Sequence, residues 1–291
     1  MLPGINGRVV AITAAVLFSF GVGQQAPVKV IRTTRHHSPI RKPTHKANGT
    51  TESINWSGYA VPTANGAVTY VSGSWTVPTA TCSTSLDDTT GYAAFWVGID
   101  GYSSNTVEQT GTDSDCVSTN GRRTDTPTYY AWFEFYPAGS YIIEFSKGIK
   151  PGDTISASVT YNGQASSGRR GASGPEFTIS IEDVSTGQSY STSAVVSGAK
   201  QSSAEWIAEA PCCENNGDIL PLADFNPWAG FSATSATTVT GTSTSTFNAS
   251  ATGAEDITMV GETVSGNKAQ PSSPPNSTTG AFTVTWVQAG P

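Results

Sequence analysis

Histidine is nearly missing from this chain. All three copies, His36, His37 and His45, fall within the first fifty of 291 residues. A Ser–His–Asp triad, a Cys–His pair and a His-ligated zinc are therefore excluded from residues 51–291. Charge is also scarce. Asp, Glu, Lys and Arg make up 13% of the chain, too little for a coiled coil or a disordered acidic tail. Basic charge is scarcer still after residue 50. Arg8, Lys29, Arg32, Arg35, Arg41, Lys42 and Lys46 are seven of the fifteen basic residues, and no acidic residue precedes Glu52. Residues 51–291 thus keep eight basic against 22 acidic groups, a net charge of −14. So acidic a surface speaks against nucleic-acid binding. Apolar runs are short: Val9 to Phe20 is the longest, and it falls below the length that spans a bilayer comfortably.

That run follows Arg8 and precedes Gly21-Val22-Gly23, so residues 1–23 read as a secretory signal. Residues 24–52 are basic, contain proline and are poor in core formers, as a linker or pro-segment would be. Their charge is opposite to that of the rest. Opposite charge lets the segment lie against the domain near neutral pH and loosen as carboxylates protonate; a solvated tail is the alternative. Unperturbed histidines titrate near about pH 6.5 and gain charge before most carboxylates lose theirs. Release is accordingly expected nearer the carboxylate range than neutrality. The domain proper is placed at residues 53–291.

From Ile54 onward the pattern is β. Ala67–Val77, Tyr92–Ile99, Tyr129–Tyr136, Thr154–Tyr161, Phe177–Val184, Ser203–Ala208, Thr234–Val239 and Phe282–Val287 alternate or are rich in β-branched residues. Turn signals separate them, among them Asn65-Gly66, Pro151-Gly152-Asp153, Asn162-Gly163 and Thr186-Gly187. No stretch shows a convincing helical period. The fold class is all-β, an antiparallel sandwich or a closed barrel. Residues 265–281 read as a long surface loop. Four cysteines in a secreted chain suggest disulfides. Cys82 and Cys116 both follow strands that could be neighbours, so they are expected to pair. The adjacent Cys212 and Cys213 remain, with their redox state open. No His or CxxC spacing accompanies the cysteines, so no metal and no cofactor is expected.

Three segments place polar groups on otherwise apolar strands. Trp96–Gly101 is followed by Val107–Gly111, where Gln109 is expected at the point a strand gives way to a turn. A glutamine amide transfers no protons, but its oxygen can hold a water and its NH₂ can polarise a carbonyl. In Tyr130–Pro137, strand periodicity sets Trp132, Glu134 and Tyr136 on one face and Ala131, Phe133 and Phe135 on the other. In Ser203–Pro211, Glu205, Ile207 and Glu209 share a face opposite Trp206 and Ala208. If that face is partly enclosed, at least one of the two carboxylates should have a raised pKa; a solvent-facing pair on an edge strand is the alternative.

In these segments the sequence resembles the glutamic peptidase, or eqolisin, family over residues 53–288. The matching stretches are Asn55–Ala60, Ser74–Pro78, Trp96–Gly101, Gln109-Thr110-Gly111 with Asp113, Tyr130–Pro137, Ala204–Glu209 and Leu222–Phe225, in the family's order. The resemblance implies a two-sheet antiparallel β-sandwich of the concanavalin A-like jelly-roll kind. It implies a secreted, acid-acting, pepstatin-insensitive endopeptidase, made as a zymogen. Its dyad glutamine falls on Gln109 and its glutamate on Glu209, not Glu205. Its substrate-cleft residues fall on Trp96, Asp100, Trp132, Glu134 and Tyr136. Three features depart from the pattern: Tyr130 stands where an Asp is usual, Phe133 and Phe135 replace Tyr and Trp, and Cys212-Cys213 is inserted after the catalytic strand. The implied partners are polypeptide substrates and the chain's own basic segment. No nucleic acid, stable membrane association or second copy is expected. A carbohydrate-active or lectin-like sandwich, binding sugar through Trp132 and Tyr136, is the alternative; it has no use for Gln109.

Overall fold

The computed structural model describes residues 28–47, 49–82, 91–117, 126–165, 173–212, 218–272 and 274–290. The signal expected over 1–23 and the residues up to 27 lie outside them. Every regular element among the described residues is a strand. In chain order these are β1 (Lys29–Arg32), β2 (Thr44–His45), β3 (Thr50–Ser53), β4 (Trp56–Pro62), β5 (Val68–Thr76) and β6 (Ala94–Ile99). Next come β7 (Val107–Asp115), β8 (Thr128–Tyr136), β9 (Tyr141–Glu144), β10 (Thr154–Ala165), β11 (Gly174–Asp183) and β12 (Gln188–Val195). The last are β13 (Ser203–Glu209), β14 (Ala229–Thr240), β15 (Ser243–Phe247), β16 (Glu255–Val260), β17 (Asn267–Pro271) and β18 (Phe282–Trp286).

One continuous ladder folds back on itself into two facing sheets. The first runs β1-β9-β8-β7-β6-β13-β4-β16, with β3 added parallel to β16. The second runs β12-β11-β10-β5-β14. β17 and β18 carry the ladder round the edge from β16 to β14. This is the expected sandwich. The loop expected over 265–281 is instead interrupted by β17, whose pairing with β16 and β18 joins the two sheets. Its sequence, Asn-Lys-Ala-Gln-Pro, has no β-branched residue, so tertiary pairing overrides weak local propensity.

Burial explains why the two sheets read differently. In β10, Ile155, Ala157 and Val159 are buried while Ser156, Ser158 and Thr160 are not, the period of a strand with one wet face. In β6, β7 and β13 every residue is buried. One face of these strands meets the main core, with Phe95, Val97, Phe133, Trp206 and Phe177. The other carries a second apolar cluster of Trp56, Trp96, Trp132, Ile207, Val107 and Ile257. Two-sided burial inside a sandwich means that something covers the outer face of the first sheet. A disulfide joins Cys82 to Cys116, as expected. Cys212 is also disulfide-bonded; Cys213 lies outside the described residues. Among the described residues no helix is long and apolar enough to cross a membrane.

Candidate active site

Strand register lays the outer face out in rows. Glu209 is level with Ala94, Asp113 and Tyr130; Ile207 with Trp96, Gly111 and Trp132; Glu205 with Gly98, Gln109 and Glu134. Gln109 therefore sits inside β7, not at its end. The turn signal was Gly111, and its glycine has a packing cause instead. A Cβ there would lie 2.2 Å from the Phe95 carbonyl oxygen and 2.6 Å from the Trp96 Cβ. Only glycine lets the Trp96 strand pass this close to β7.

The cover is the chain itself. β1 pairs with β9 at one edge of the sheet, and β2 joins β3 at the other. Between them residues 33–41, the strap, cross the trough. Residues 28–52 are thus no free linker. Arg35 Nη1 meets Asp115 Oδ2 at 2.6 Å and Asp113 Oδ2 at 3.3 Å, bonds the Tyr130 hydroxyl, and its guanidinium lies 3.9 Å from the centre of the Tyr92 ring. His36 Nδ1 lies 2.6 Å from Glu134 Oε1, and its backbone forms an antiparallel bridge with Cys212. The ring of His37 stacks on Trp132 at 3.5 Å, its Nε2 is 3.3 Å from Asp113 Oδ1, and its backbone N–H donates to Glu134 Oε2 at 2.8 Å. The side-chain amide of Gln109 donates to the carbonyl oxygen of His37. Next along the strap, the Ser38 carbonyl accepts from the Trp56 indole at 3.1 Å.

Glu209 is fully buried beside this stretch. Its Oε2 accepts from the Trp96 indole at 2.8 Å and its Oε1 from the Asn55 amide at 3.3 Å. Burial pushes its carboxyl up to about 8, against the pull of the His37 charge and the two hydrogen bonds. Register alone sets Gln109 level with Glu205, across Gly98. Their neighbours differ: neither carboxyl oxygen of Glu205 makes a hydrogen bond within normal distance among the described residues, the Ser203 hydroxyl and Tyr102 N–H lying near enough only to oppose the effect of burial. Burial pushes Glu205 well above the usual range, and Glu108 likewise.

The strap and its acidic seat shift one another. Burial alone would push His37 down, but Asp113 and Glu134 hold it up at about 10. An unperturbed titration near neutrality, expected from sequence, does not apply to it: His37 is already charged at pH 7. Burial would raise Asp113, but the charges of His37 and Arg35 hold it below its ordinary value. Burial and the neighbouring Asp113 push Asp115 up to about 7, against Arg35.

Of the residues expected in the cleft, Trp96, Trp132 and Glu134 touch Glu209 or the strap, and the Tyr136 ring is edge-on to His36 at 6.0 Å. Asp100 stands aside. Its carboxylate accepts from the backbone N–H groups of Lys200, Gln201 and Ser202 at 2.6–2.9 Å, and from the Ser202 hydroxyl. It closes that loop from a left-handed backbone at φ 71°. Sequence reasoning missed Asn55, Asp115 and the strap's Arg35 and His37 as parts of the site. The opposite charges of the two segments were the available signal, but charge gives no register. Asn55 also begins an Asn-Trp-Ser sequon, yet it is fully buried and closed to glycosylation in this fold.

The sequence pattern of the peptidase A4 family matches residues 54–285. Scytalido-glutamic peptidase, solved with a peptide-based transition-state analogue, superposes with a TM-score of 0.59 at 24% identity, over 80% of this chain and 98% of that one. SCP-B, a member of the eqolisin family solved with the tripeptide Ala-Ile-His, gives 0.55 at 22% identity over 80% and 98%. At these identities the likeness is one of fold. No curated protein matches the chain.

Proposed function

From the premise that the chain belongs to the peptidase A4 family, we propose that it is a secreted, acid-acting endopeptidase, insensitive to pepstatin and made as a zymogen. Gln109 and Glu209 form its dyad, and residues 24–52 are its pro-segment. The observation that carries this reading is a carbonyl of the chain's own strap held by the Gln109 amide, with Glu209 joined to the same stretch through Asn55. Gln109 donates to the His37 carbonyl, while Asn55 links Glu209 to the two residues that follow.

A substrate in the strap's place would present its carbonyl to the Gln109 amide. Ionised Glu209 takes a proton from a water, which attacks the carbonyl carbon. The Gln109 N–H stabilises the oxyanion that forms. Glu209 then returns the proton to the leaving amine as the carbon–nitrogen bond breaks. One carboxyl serves as base and then acid. The strap opposes this twice. It fills the trough, and by burying Glu209 it keeps the carboxyl protonated up to about pH 8, so no base is present. Once the strap leaves, water reaches Glu209 and its pKa falls toward the ordinary carboxylate value of about 4.3. The base is then available in acid.

Peptide release from denatured protein between pH 3 and 7 tests the reading. Cleavage in acid that pepstatin leaves unchanged is the expected result. Absence of cleavage after removal of residues 24–52 would refute it. Secretion follows from the 1–23 signal and is checked by the N-terminal sequence of protein recovered outside the producing cell.

A further inference from the structure

Asn55 does more than pack. It is fully buried at the corner between β3 and β4. Its carbonyl oxygen is occupied by the Ser53 hydroxyl at 2.9 Å and the Arg41 backbone N–H at 2.8 Å. Those two donors fix which way the amide faces. Its NH₂ therefore points into the trough, 3.3 Å from Glu209 Oε1, 3.2 Å from the Pro39 carbonyl oxygen and 3.4 Å from that of Ser38. The Asn55 backbone carbonyl also accepts from Ala210, the residue after Glu209, at 2.9 Å. Asn55 and Glu209 are thus tied at both backbone and side chain.

A primary amide has two N–H donors. Here they face two different acceptors, the general base and the backbone just past the bond held by Gln109. We propose that Asn55 is a positioning residue that orients the Glu209 carboxylate with one amide proton and clamps, with the other, the carbonyls of the two substrate residues after the cleaved bond. The proposal rests on the dyad reading above. It makes the leaving side of the cleft a reader of backbone, with the Trp56 indole as second donor to the first of those carbonyls. The same NH₂ also lies 3.4 Å from the Ser38 hydroxyl, so the clamp sets register and direction through backbone and accommodates a small polar side chain at the first position. The second position needs no N–H from the substrate, since Pro39 occupies it in the strap.

The sign of the effect is fixed. A hydrogen bond to the ionised carboxyl favours ionisation. Its loss raises the pKa of the base and moves the acid limb of kcat to higher pH. In the acid-activated full-length enzyme, Asn55→Ala is expected to move that limb up by about one pH unit. KM should rise more for peptides with three residues after the cleaved bond than for those with one. Asn55→Asp keeps the shape and places a second carboxyl beside Glu209, so its limb should move further. It also serves if the alanine variant does not fold. An unmoved acid limb in a folded variant, or an equal KM change for long and short peptides, would overturn the proposal. Glu209→Gln is measured in parallel. Activity surviving that change refutes the dyad itself, whereas its loss with an unmoved Asn55 limb refutes only the positioning role.

Discussion

At the scale of single residues, two glutamates four positions apart on one strand face have unlike neighbours. Glu209 has the Trp96 indole, the Asn55 amide and the strap; Glu205 makes no hydrogen bond within normal distance among the described residues. Glu205 therefore keeps its proton, and a glutamine there is nearly isosteric with the protonated acid. Gln109→Ala removes the amide on the His37 carbonyl, and losing an oxyanion donor costs about 10²–10³ in kcat. Gln109→Ala and Glu209→Gln should each fall by at least that factor, while Glu205→Gln stays within about threefold of wild type. Initial rates on a common peptide decide the matter. A dead Glu205→Gln enzyme with an active Glu209→Gln enzyme would reverse the assignment.

At the scale of elements, the strap is the part that sequence placed only by charge. Its seat is two ionic clusters, Arg35 with Asp113 and Asp115, and the His36–His37 pair with Glu134 and Asp113. His37 is raised to about 10, so its contribution is complete below its free value of about 6.5 and does not change on further acidification. Asp113 is held low, so its contribution is present above its free value of about 3.9 and is lost as the pH falls through the lowered one. Asp115, pushed up to about 7, favours docking at lower pH and opposes Asp113. Glu209, raised to about 8 while covered, favours docking in acid as Asp115 does, so Asp113 is the group that favours release, below its free value of about 3.9. Arg35→Ala with His37→Ala should move release toward neutrality. Tryptophan fluorescence against pH follows it, because the His37 ring stacks on Trp132. Wild-type release that is complete at pH 7 would contradict this account.

At the scale of the whole molecule, the acidic domain is built for protonated carboxyls. Glu108 and Glu205 are fully buried without a hydrogen bond within normal distance among the described residues, and burial pushes both well above the usual range. A carboxyl raised on folding stabilises below its unfolded value and is a liability as pH rises toward its folded one. With eight basic groups after residue 50, positive self-repulsion in acid is also limited. Thermal midpoints should therefore drop from pH 5 to pH 9. Replacing Glu108 and Glu205 with Gln should flatten that drop and change little at pH 4. Equal slopes for both proteins would mean that other groups set the alkaline limit.

The sequence by itself determined a great deal. Alternation in β10 and β11, turn residues and the absence of helical period specified an all-β chain, because a strand's side chains point to opposite faces whatever it pairs with. The ordered motifs around Gln109, Trp132 and Glu209 pointed to the candidate site, since chemistry without histidine narrows to few residue types. Tertiary structure alone decided the rest. Register put Glu205, not Glu209, level with Gln109, and only the fold brought the Trp96 indole and the Asn55 amide to Glu209. β17 formed where propensity is weak because two sheet edges needed closing. The strap found its seat through a carbonyl, a stacked ring and paired charges brought together from distant parts of the chain. Local pattern fixes which face a residue points to. What it meets there depends on contacts that no local pattern encodes.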